Sequence, residues 1–252
     1  PIVDGICIVD TGSTDGTQDV IRKWGETNNI PTFVYDRPFD NFENSRNYSM
    51  EMSKDKFEYC FWIDADEVME IDLKVFDKNK LDKDLYMFNT YIGNMKYTRN
   101  EGWKTSLPFK FYGPVHEFIV CDQQNISSGL MEGIVVKVYM DGGSWKGNVA
   151  DKYKKHSAIL EDYIDNKDRN ARWVFYTAQS YHDSASLPDN KEENEERLRR
   201  SLKYYKERVG RNDGYEEERF YSQFRIGTIM RALEYPWTQT HQEFLKAYAM
   251  DP

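Results

Sequence analysis

The order of apolar and polar positions predicts alternating strands and helices at the start of the chain. Residues 3–10 and 58–63 are apolar runs that indicate buried strands, and residues 31–36 indicate a shorter strand between them. Residues 18–26 and 42–52 have the pattern of helices. Strands that alternate with helices favour an α/β fold, in which parallel strands end at one edge of a sheet where ligands bind.

From residue 85 the pattern changes to short strand-like runs, and after about residue 149 it becomes helical. The strand-like runs are residues 85–92, 96–98, 109–112, 117–120 and 134–140. The helical segments are residues 151–165, 171–184, 192–209, 215–233 and 239–250. This order predicts a mixed sheet followed by a helical region.

The helical region contains an internal echo. Phe175-Tyr176 recurs as Phe220-Tyr221, and Leu202-Lys203-x-Tyr205 recurs as Leu245-Lys246-x-Tyr248. Offsets of roughly 43 to 45 residues suggest helix-pair repeats that resemble tetratricopeptide units. Stacked helix pairs form concave surfaces, so a protein partner bound through these repeats is a further expectation.

The composition is that of a globular protein of 252 residues with 39% hydrophobic residues. A formal net charge of −9 argues against general binding to nucleic acid or anionic membranes, which needs a basic surface. No run approaches the ~20 apolar residues of a transmembrane segment, and no signal peptide is recognisable. The three cysteines lack a C-x-x-C spacing and predict free thiols in a reducing, cytoplasmic location.

Two carboxylates follow the predicted strand at 58–63. Asp64 and Asp66 are two positions apart, so their side chains point to the same face of an extended chain. Such hard oxygen ligands suit Mn²⁺ or Mg²⁺ bound together with a diphosphate, because these ions are rarely enclosed by protein ligands alone. Asp64 and Asp66 are therefore the predicted metal ligands, and a solvated acidic turn is the alternative.

A glycine-containing turn follows the predicted strand at 3–10. Its sequence TGSTDGT, at 11–17, lets the backbone turn tightly and expose amide N–H groups at the start of a helix, where anions are stabilised. Asp15 and Gln18 resemble a capping pair. The candidate ligand-binding residues in this turn are thus Thr11, Ser13 and Asp15. The alternative is a purely structural turn, because any strand–turn–helix unit needs glycines and short polar residues.

The chain resembles the family 2 glycosyltransferases of the GT-A fold, especially the bacterial and viral-type branch whose catalytic domain precedes helical repeats. Four motifs carry the resemblance: IVDTGSTDGT at 8–17, DNFENSRN at 40–47, WIDADE at 62–67 and GPVHEF at 113–118. The resemblance implies a GT-A (nucleotide-diphospho-sugar transferase) domain with a mixed sheet. It also implies a metal-dependent, inverting glycosyltransferase that moves a sugar from a UDP- or GDP-linked donor to a hydroxyl of a glycan, lipid or protein acceptor.

The resemblance also implies roles for the residues at matching positions. Asp10 would contact the nucleotide base or ribose, and Arg46 would help to hold the nucleotide. Asp64 and Asp66 would be the D-x-D pair of the family, with Asp64 near the ribose and Asp66 on the metal. The residue types suit these roles, since carboxylates accept bonds from ribose hydroxyls and a guanidinium suits phosphate or a base edge. For Arg46, a surface ion pair is the alternative.

An inverting transfer needs a carboxylate that removes the proton of the acceptor hydroxyl. Glu117 is the candidate base, and His116 is a candidate to contact the metal or the diphosphate. Neighbouring strand residues point to opposite faces, so both serve one site only if the turn at 113–114 bends the chain. Asp141 is the next candidate for the base.

The predicted domains are a GT-A-like domain at 1–148 and a tetratricopeptide-like helical region at 149–252. Relatives in the family have an earlier strand and helix that contribute to the nucleotide site. The first domain is therefore expected to lack its first strand and helix.

Other functions fit parts of the sequence. Residues 60–68 also match the haloacid-dehalogenase pattern, in which the first Asp is a phosphoryl nucleophile, but a later Gly-Asp-x-x-x-Asp element is missing. An inactive GT-A-like domain with a protein-binding helical module is the non-enzymatic alternative. The aspartic-protease signature at 10–13 is rejected, because no second copy exists with which to share a proton.

Overall fold

The structure is a computed structural model and describes residues 2–139, 149–185 and 190–250. The chain divides into two compact units, Pro1–Gly143 and Ser144–Pro252. The predicted domain boundary at residue 148 and the candidate Asp141 lie outside the described residues.

The first unit begins with a strand–helix–strand arrangement. β1 (Ile6–Asp10) and β2 (Thr32–Asp36) form a two-stranded parallel sheet, and α1 (Thr17–Asn28) connects them. The helix approaches β2 so closely that a Cβ atom on Gly25 would lie 2.1 Å from Oγ1 of Thr32. Only glycine fits at this approach.

A five-stranded mixed sheet forms the centre of the first unit. Its strands are β3 (Tyr59–Phe61), β4 (Glu67–Ile71), β5 (Leu85–Ile92), β6 (Met95–Lys104) and β9 (Ser128–Val138). Two further strands lie between β6 and β9 in the chain and form a separate hairpin. Their spatial order is β3-β6-β5-β9-β4, with β5 and β9 parallel and the other neighbours antiparallel. Alternate residues of β5 are buried, which is the period expected of a strand with one face on a core.

A short hairpin and a helix complete the part of the first unit that carries the candidate residues. β7 (Phe109–Tyr112) and β8 (Phe118–Cys121) are antiparallel, and α2 (Phe42–Ser53) packs against β7. A buried apolar cluster joins the helix, the hairpin and β6; its members are Met50, Trp103, Phe109, Phe111 and Ile119. This cluster fixes where α2 meets the turn between β7 and β8.

The sheet differs from the prediction in two ways. β3 pairs antiparallel with β6 at an edge of the five-stranded sheet, whereas β1 pairs with β2 in a separate sheet. The prediction of a buried, parallel strand at 58–63 is therefore wrong, and β3 is only half-buried. The pattern also missed β4 and the first half of β9, since charged residues and glycines interrupt their apolar alternation.

The second unit consists of helices, as the sequence predicts. They are α3 (Val149–Asn166), α4 (Ala171–Asp183), α5 (Lys191–Val209), α6 (Glu216–Ala232) and α7 (Trp237–Met250). Each helix packs against the next one in the chain. Asn170 and Asn190 cap α4 and α5 by accepting hydrogen bonds from backbone N–H groups of the first turn, which explains where these helices begin.

The two halves of the internal echo are in different environments. Leu202 and Tyr205 of α5 are buried, whereas their counterparts Leu245 and Tyr248 of α7 are 53% and 66% exposed. The tetratricopeptide-like assignment and a protein partner stay predictions. Within the described helices, none is long and apolar enough to cross a membrane. The predicted fold class is confirmed: a mixed α/β domain consistent with the GT-A fold is followed by a helical region.

Candidate active site

Arg46 of α2 joins two of the other predicted site residues. Its Nη2 donates a hydrogen bond to Oδ2 of Asp64 over 3.2 Å, and its Nε lies 2.7 Å from Oε1 of Glu117. The N–H at Nε is not aimed at that oxygen, so the second contact is an ion pair and not a hydrogen bond. Residues from three separate sequence motifs therefore meet at one guanidinium.

Two aromatic rings hold this guanidinium in place. Its carbon lies 4.6 Å from the ring centroid of Trp62 and 5.3 Å from that of Phe111, distances that suit cation–π attraction. Trp62 also donates from Nε1 to Oδ1 of Asp64 over 3.0 Å. The side chain of Arg46 is only 17% exposed, so it is more enclosed than the surface ion pair that the sequence left open.

Two further α2 residues fix the segment that carries Glu117. Asn47 donates from Nδ2 to the carbonyl oxygen of Phe111 over 2.8 Å and accepts from the N–H of the same residue over 2.7 Å. Glu43 accepts from the N–H of Gly113 over 2.9 Å. These residues lie on the same helix face as Arg46. Sequence reasoning missed Glu43 and Asn47, although their spacing around Arg46 was a usable signal.

The turn between β7 and β8 bends the chain at His116. Its φ of 55° is in the left-handed region, and Gly113 has a φ of 114°. The alternation of a regular strand therefore does not apply here. Glu117 reaches Arg46 with its side chain 9% exposed, and His116 is half-buried. The catalytic roles of both residues stay predictions.

Asp64 and Asp66 lie in a turn and not at the end of an extended strand. The carbonyl oxygen of Asp64 accepts from the N–H of Glu67 over 3.1 Å, which closes a four-residue turn between β3 and β4. The expectation of two side chains on one face of an extended chain is therefore wrong. Asp64 is engaged by Arg46 and Trp62, whereas the half-buried Asp66 side chain has no hydrogen-bond or ion-pair partner among the described residues.

Metal ligands are few in this site. No group of three or more His, Cys, Asp or Glu side chains that could hold a metal occurs in the described part of the chain. One or two carboxylates still suit Mg²⁺ or Mn²⁺, since these ions take their other ligands from water and substrate phosphates. Asp66 fits this role because its carboxylate is uncommitted, whereas Asp64 would first have to release Arg46 or Trp62.

A cluster of buried charges adjoins this turn. Oε1 of Glu67 lies 2.6 Å from Nη2 of Arg99, and Arg99 also pairs with Glu101. Glu101 is 3% exposed, and its Oε2 has no hydrogen-bond partner among the described residues. Burial raises the pKa of Glu101 to about 8 despite the opposing charge of Arg99, and the charges of Glu67 and Asp64 add to the rise.

The free energy of unfolding of wild type should fall as pH rises, and we expect Glu101→Gln not to show this fall. The folded state binds the Glu101 proton more tightly than the unfolded state, so the free energy of unfolding falls from pH about 4.5 to about 8. The variant should gain a few kcal/mol over wild type across this window. Urea unfolding of both proteins at several pH values measures the difference, with Glu70→Gln as an exposed control. A difference that does not change with pH contradicts the assignment.

Asp10 ends β1 and holds the turn that follows it. Its Oδ1 accepts from the N–H groups of Gly12 and Ser13 over 2.9 and 2.8 Å. Hydrogen bonds, first of all from the Ser13 side chain, lower the pKa of Asp10 to about 2, so this buried carboxyl is charged at neutral pH. The prediction that these amides are free for an anionic ligand is therefore wrong at Gly12 and Ser13, because Asp10 occupies them.

Asp15 likewise occupies the start of α1. It accepts from the N–H and the hydroxyl of Thr17 over 3.1 and 2.6 Å. Gln18 donates instead to Asp36 at the end of β2, and the residue before the helix is Gly16. The predicted Asp15–Gln18 capping pair is wrong, because the tertiary contact with β2 takes the Gln18 side chain.

The turn at 11–17 is not bonded to the turn that carries Asp64 and Asp66 among the described residues. Thr11 and Ser13 are exposed, and no hydrogen bond or ion pair links this turn to Asp64 or Asp66 among the residues that the structure describes. The predicted nucleotide-binding roles of Asp10, Thr11, Ser13 and Asp15 stay predictions.

The sequence of this unit matches a known protein family. Residues 3–119 match the family described as "Glycosyl transferase family 2". The matched segment runs from the start of the first unit into β8 and includes every predicted site residue from Asp10 to Glu117. Residues 3–119 are therefore similar to glycosyl transferase family 2 domains.

A curated relative is similar over a shorter segment. The abequosyltransferase RfbV of Salmonella typhimurium (strain LT2) is 32% identical over 84 residues. These residues are 32% of this chain and 25% of RfbV, so the similarity spans about a quarter of the length of that relative.

Proposed function

We propose that the glycosyl transferase family 2 domain transfers a sugar from a nucleotide-sugar donor, UDP- or GDP-linked, to an acceptor hydroxyl with inversion at the anomeric carbon. The family match at 3–119 and the similarity to an abequosyltransferase support sugar transfer as the reaction class. The proposed acceptor hydroxyl belongs to a glycan, a lipid or a protein.

One observation carries the proposal most directly. Arg46 lies between Asp64 and Glu117. Asp66 is two residues from Asp64, and its carboxylate is without a hydrogen-bond or ion-pair partner among the described residues. A cation, a carboxylate that can bind metal and a carboxylate that can accept a proton are thereby held near one another. These are the groups that a diphosphate leaving group and an acceptor hydroxyl require.

Asp66 is the proposed ligand for Mn²⁺ or Mg²⁺, and Asp64 is a second ligand only if it releases its present partners. When bound with the donor, such a cation offsets negative charge on the departing diphosphate. Arg46 would add positive charge on the same side, and Asp10 would accept hydrogen bonds from the nucleotide.

Glu117 is the proposed base. It would take the proton of the acceptor hydroxyl while that oxygen forms its bond to the anomeric carbon and the bond from that carbon to the diphosphate breaks. The contact with Arg46 uses Oε1 of Glu117, so Oε2 is the oxygen that would accept the proton. His116 would contact the diphosphate or the cation.

The position of Asp64 weakens the phosphohydrolase alternative. A haloacid-dehalogenase-like enzyme would use this residue as its nucleophile. In this structure its carboxylate oxygens contact Arg46 and Trp62, and the family match is to glycosyltransferases.

Thermal unfolding with ligands tests the proposed function. We expect UDP or GDP to raise the Tm of the full chain, and Mn²⁺ to enlarge the rise, because a ligand that binds only the folded state stabilises it. At a ligand concentration about 100 times Kd the gain is about 2.7 kcal/mol. AMP at the same concentration and Ca²⁺ in place of Mn²⁺ are the controls. No shift with any uridine or guanosine diphosphate contradicts the proposal.

A further inference from the structure

Glu67 has two partners that tie the D-x-D turn to the sheet. Its Oε2 accepts from the backbone N–H of Asp64 over 3.0 Å, and its Oε1 pairs with Arg99 of β6 at 2.6 Å. The N–H of Glu67 also donates to the carbonyl oxygen of Asp64. One residue therefore closes the turn through both its backbone and its side chain.

Strand β6 holds the same turn at a second point. The N–H of Trp62, two residues before Asp64, donates to the carbonyl oxygen of Glu101 over 2.6 Å. Arg99 and Glu101 are two apart on this strand, so their side chains share a face, and they pair with each other. Arg99 thus binds Glu67 from a strand that is itself fixed to the segment preceding the turn.

Because Glu67 is buried, its carboxylate would destabilise the fold if it had no partners. Glu67 is 8% exposed, and a buried carboxylate is costly unless it is paired and hydrogen-bonded. An apolar side chain at this position would fill the same space without that cost, but it could not accept the Asp64 N–H. The contacts form one chain: Arg99 fixes Glu67, Glu67 fixes the backbone of Asp64, and the Asp64 carboxylate fixes Arg46.

We propose that Glu67, held by Arg99, is a positioning residue that sets the conformation of the turn carrying Asp64 and Asp66. Glu67 does not touch the donor in this scheme; it acts through the two aspartates. The consequence for donor binding rests on the proposed function, whereas the consequence for the turn does not.

Hydrogen exchange of the Asp64 amide tests the positioning role in the full chain without any need for activity. Glu67→Ala should speed this exchange by about 10- to 100-fold, the range that corresponds to losing a hydrogen bond to a charged group. Glu67→Asp should also speed it, because a side chain shorter by one methylene cannot reach both Asp64 and Arg99. The aspartate variant keeps the charge, so it serves if the alanine variant does not fold.

Glu70→Ala is the matched control. Glu70 is an exposed residue of the same strand, and it pairs with Lys137 at 2.6 Å without contacting the turn. Exchange at Asp64 should stay at the wild-type rate in this variant. Unchanged exchange in Glu67→Ala and Glu67→Asp, or an equal change in Glu70→Ala, overturns the positioning role.

The second measurement is the Tm rise produced by UDP or GDP with Mn²⁺. We expect this rise to shrink in the Glu67 variants and to persist in Glu70→Ala. Faster exchange with an undiminished rise overturns the link to donor binding. If wild type shows no nucleotide-dependent rise, the proposed function fails, and the Asp64 amide alone decides whether Glu67 positions the turn.

Discussion

Replacing Asp66 by Asn is expected to lower the rate of sugar transfer roughly 100- to 1,000-fold, the usual effect of removing one electrostatic stabiliser of a leaving group. Asp66 is the member of the D-x-D pair whose carboxylate has no hydrogen-bond or ion-pair partner in the part of the chain that the structure describes. The amide keeps the size of the side chain but loses the charge that attracts a divalent cation. Because the Asp66 carboxylate has no hydrogen-bond or ion-pair partner among the described residues, the variant should fold and unfold like wild type.

Two measurements separate metal binding from the rate itself. Electron paramagnetic resonance titration of Mn²⁺ with UDP or GDP present should show weaker binding in Asp66→Asn, and initial rates should fall in parallel. Asp72→Asn is the control, since Asp72 is exposed and its carboxylate accepts a local bond from the N–H of Lys74. Wild-type Mn²⁺ affinity and wild-type transfer in Asp66→Asn would show that the metal is held elsewhere or is not used.

Glu117→Gln is expected to lower kcat by about 10²- to 10⁴-fold while the KM for the donor stays near the wild-type value. The amide preserves the shape of the side chain but cannot accept a proton at neutral pH. The loss should therefore fall on the chemical step, if Glu117 is the base.

Because Glu117 forms an ion pair with Arg46, the Glu117→Gln variant is compared with Arg46→Lys. Should Glu117 serve only to hold Arg46, its amide variant would behave like Arg46→Lys, which keeps a charge but loses the planar fork that reaches both carboxylates. Both variants would then raise the donor KM, with smaller effects on kcat. Steady-state kinetics of the two variants against the same donor distinguish the outcomes, and matching KM increases would remove Glu117 as the base.

Much of the fold could be predicted from the sequence because its signals are local. The apolar periods of β5 and of the C-terminal helices other than α6, and the glycines after β1, depend on residues a few positions apart. The predicted strand at 85–92 coincides with β5. Predictions failed where pairing partners lie far apart, as for β3, which pairs with the returning strand β6 and has no parallel neighbour in its sheet.

In the candidate site, the sequence likewise predicted which residues take part but not which contacts they make. Residue chemistry singled out Asp64 and Asp66, and the resemblance to a known family added Arg46 and Glu117. The sequence could not show that residues 64–67 form a turn or that Arg46 donates a hydrogen bond to the Asp64 carboxylate. It also could not show that Asp10 and Asp15 accept hydrogen bonds from the backbone N–H groups that were expected to be free. A carboxylate accepts hydrogen bonds from whichever donors the fold brings near, and local pattern does not specify those donors.

The sequence by itself determined the order of the elements and the α/β and helical halves, since periodicity is a property of short segments. Its motifs, through their resemblance to a known family, also singled out the acidic and basic residues of the candidate site. Only the tertiary structure decided that α2 brings Arg46 between Asp64 and Glu117, and that Arg99 and Glu67 hold the turn. It also decided that the Asp66 carboxylate has no hydrogen-bond or ion-pair partner within residues 2–139, 149–185 and 190–250. The physical reason is that hydrogen bonds and ion pairs form between side chains near in space, and their nearness here depends on how the helix and the strands pack.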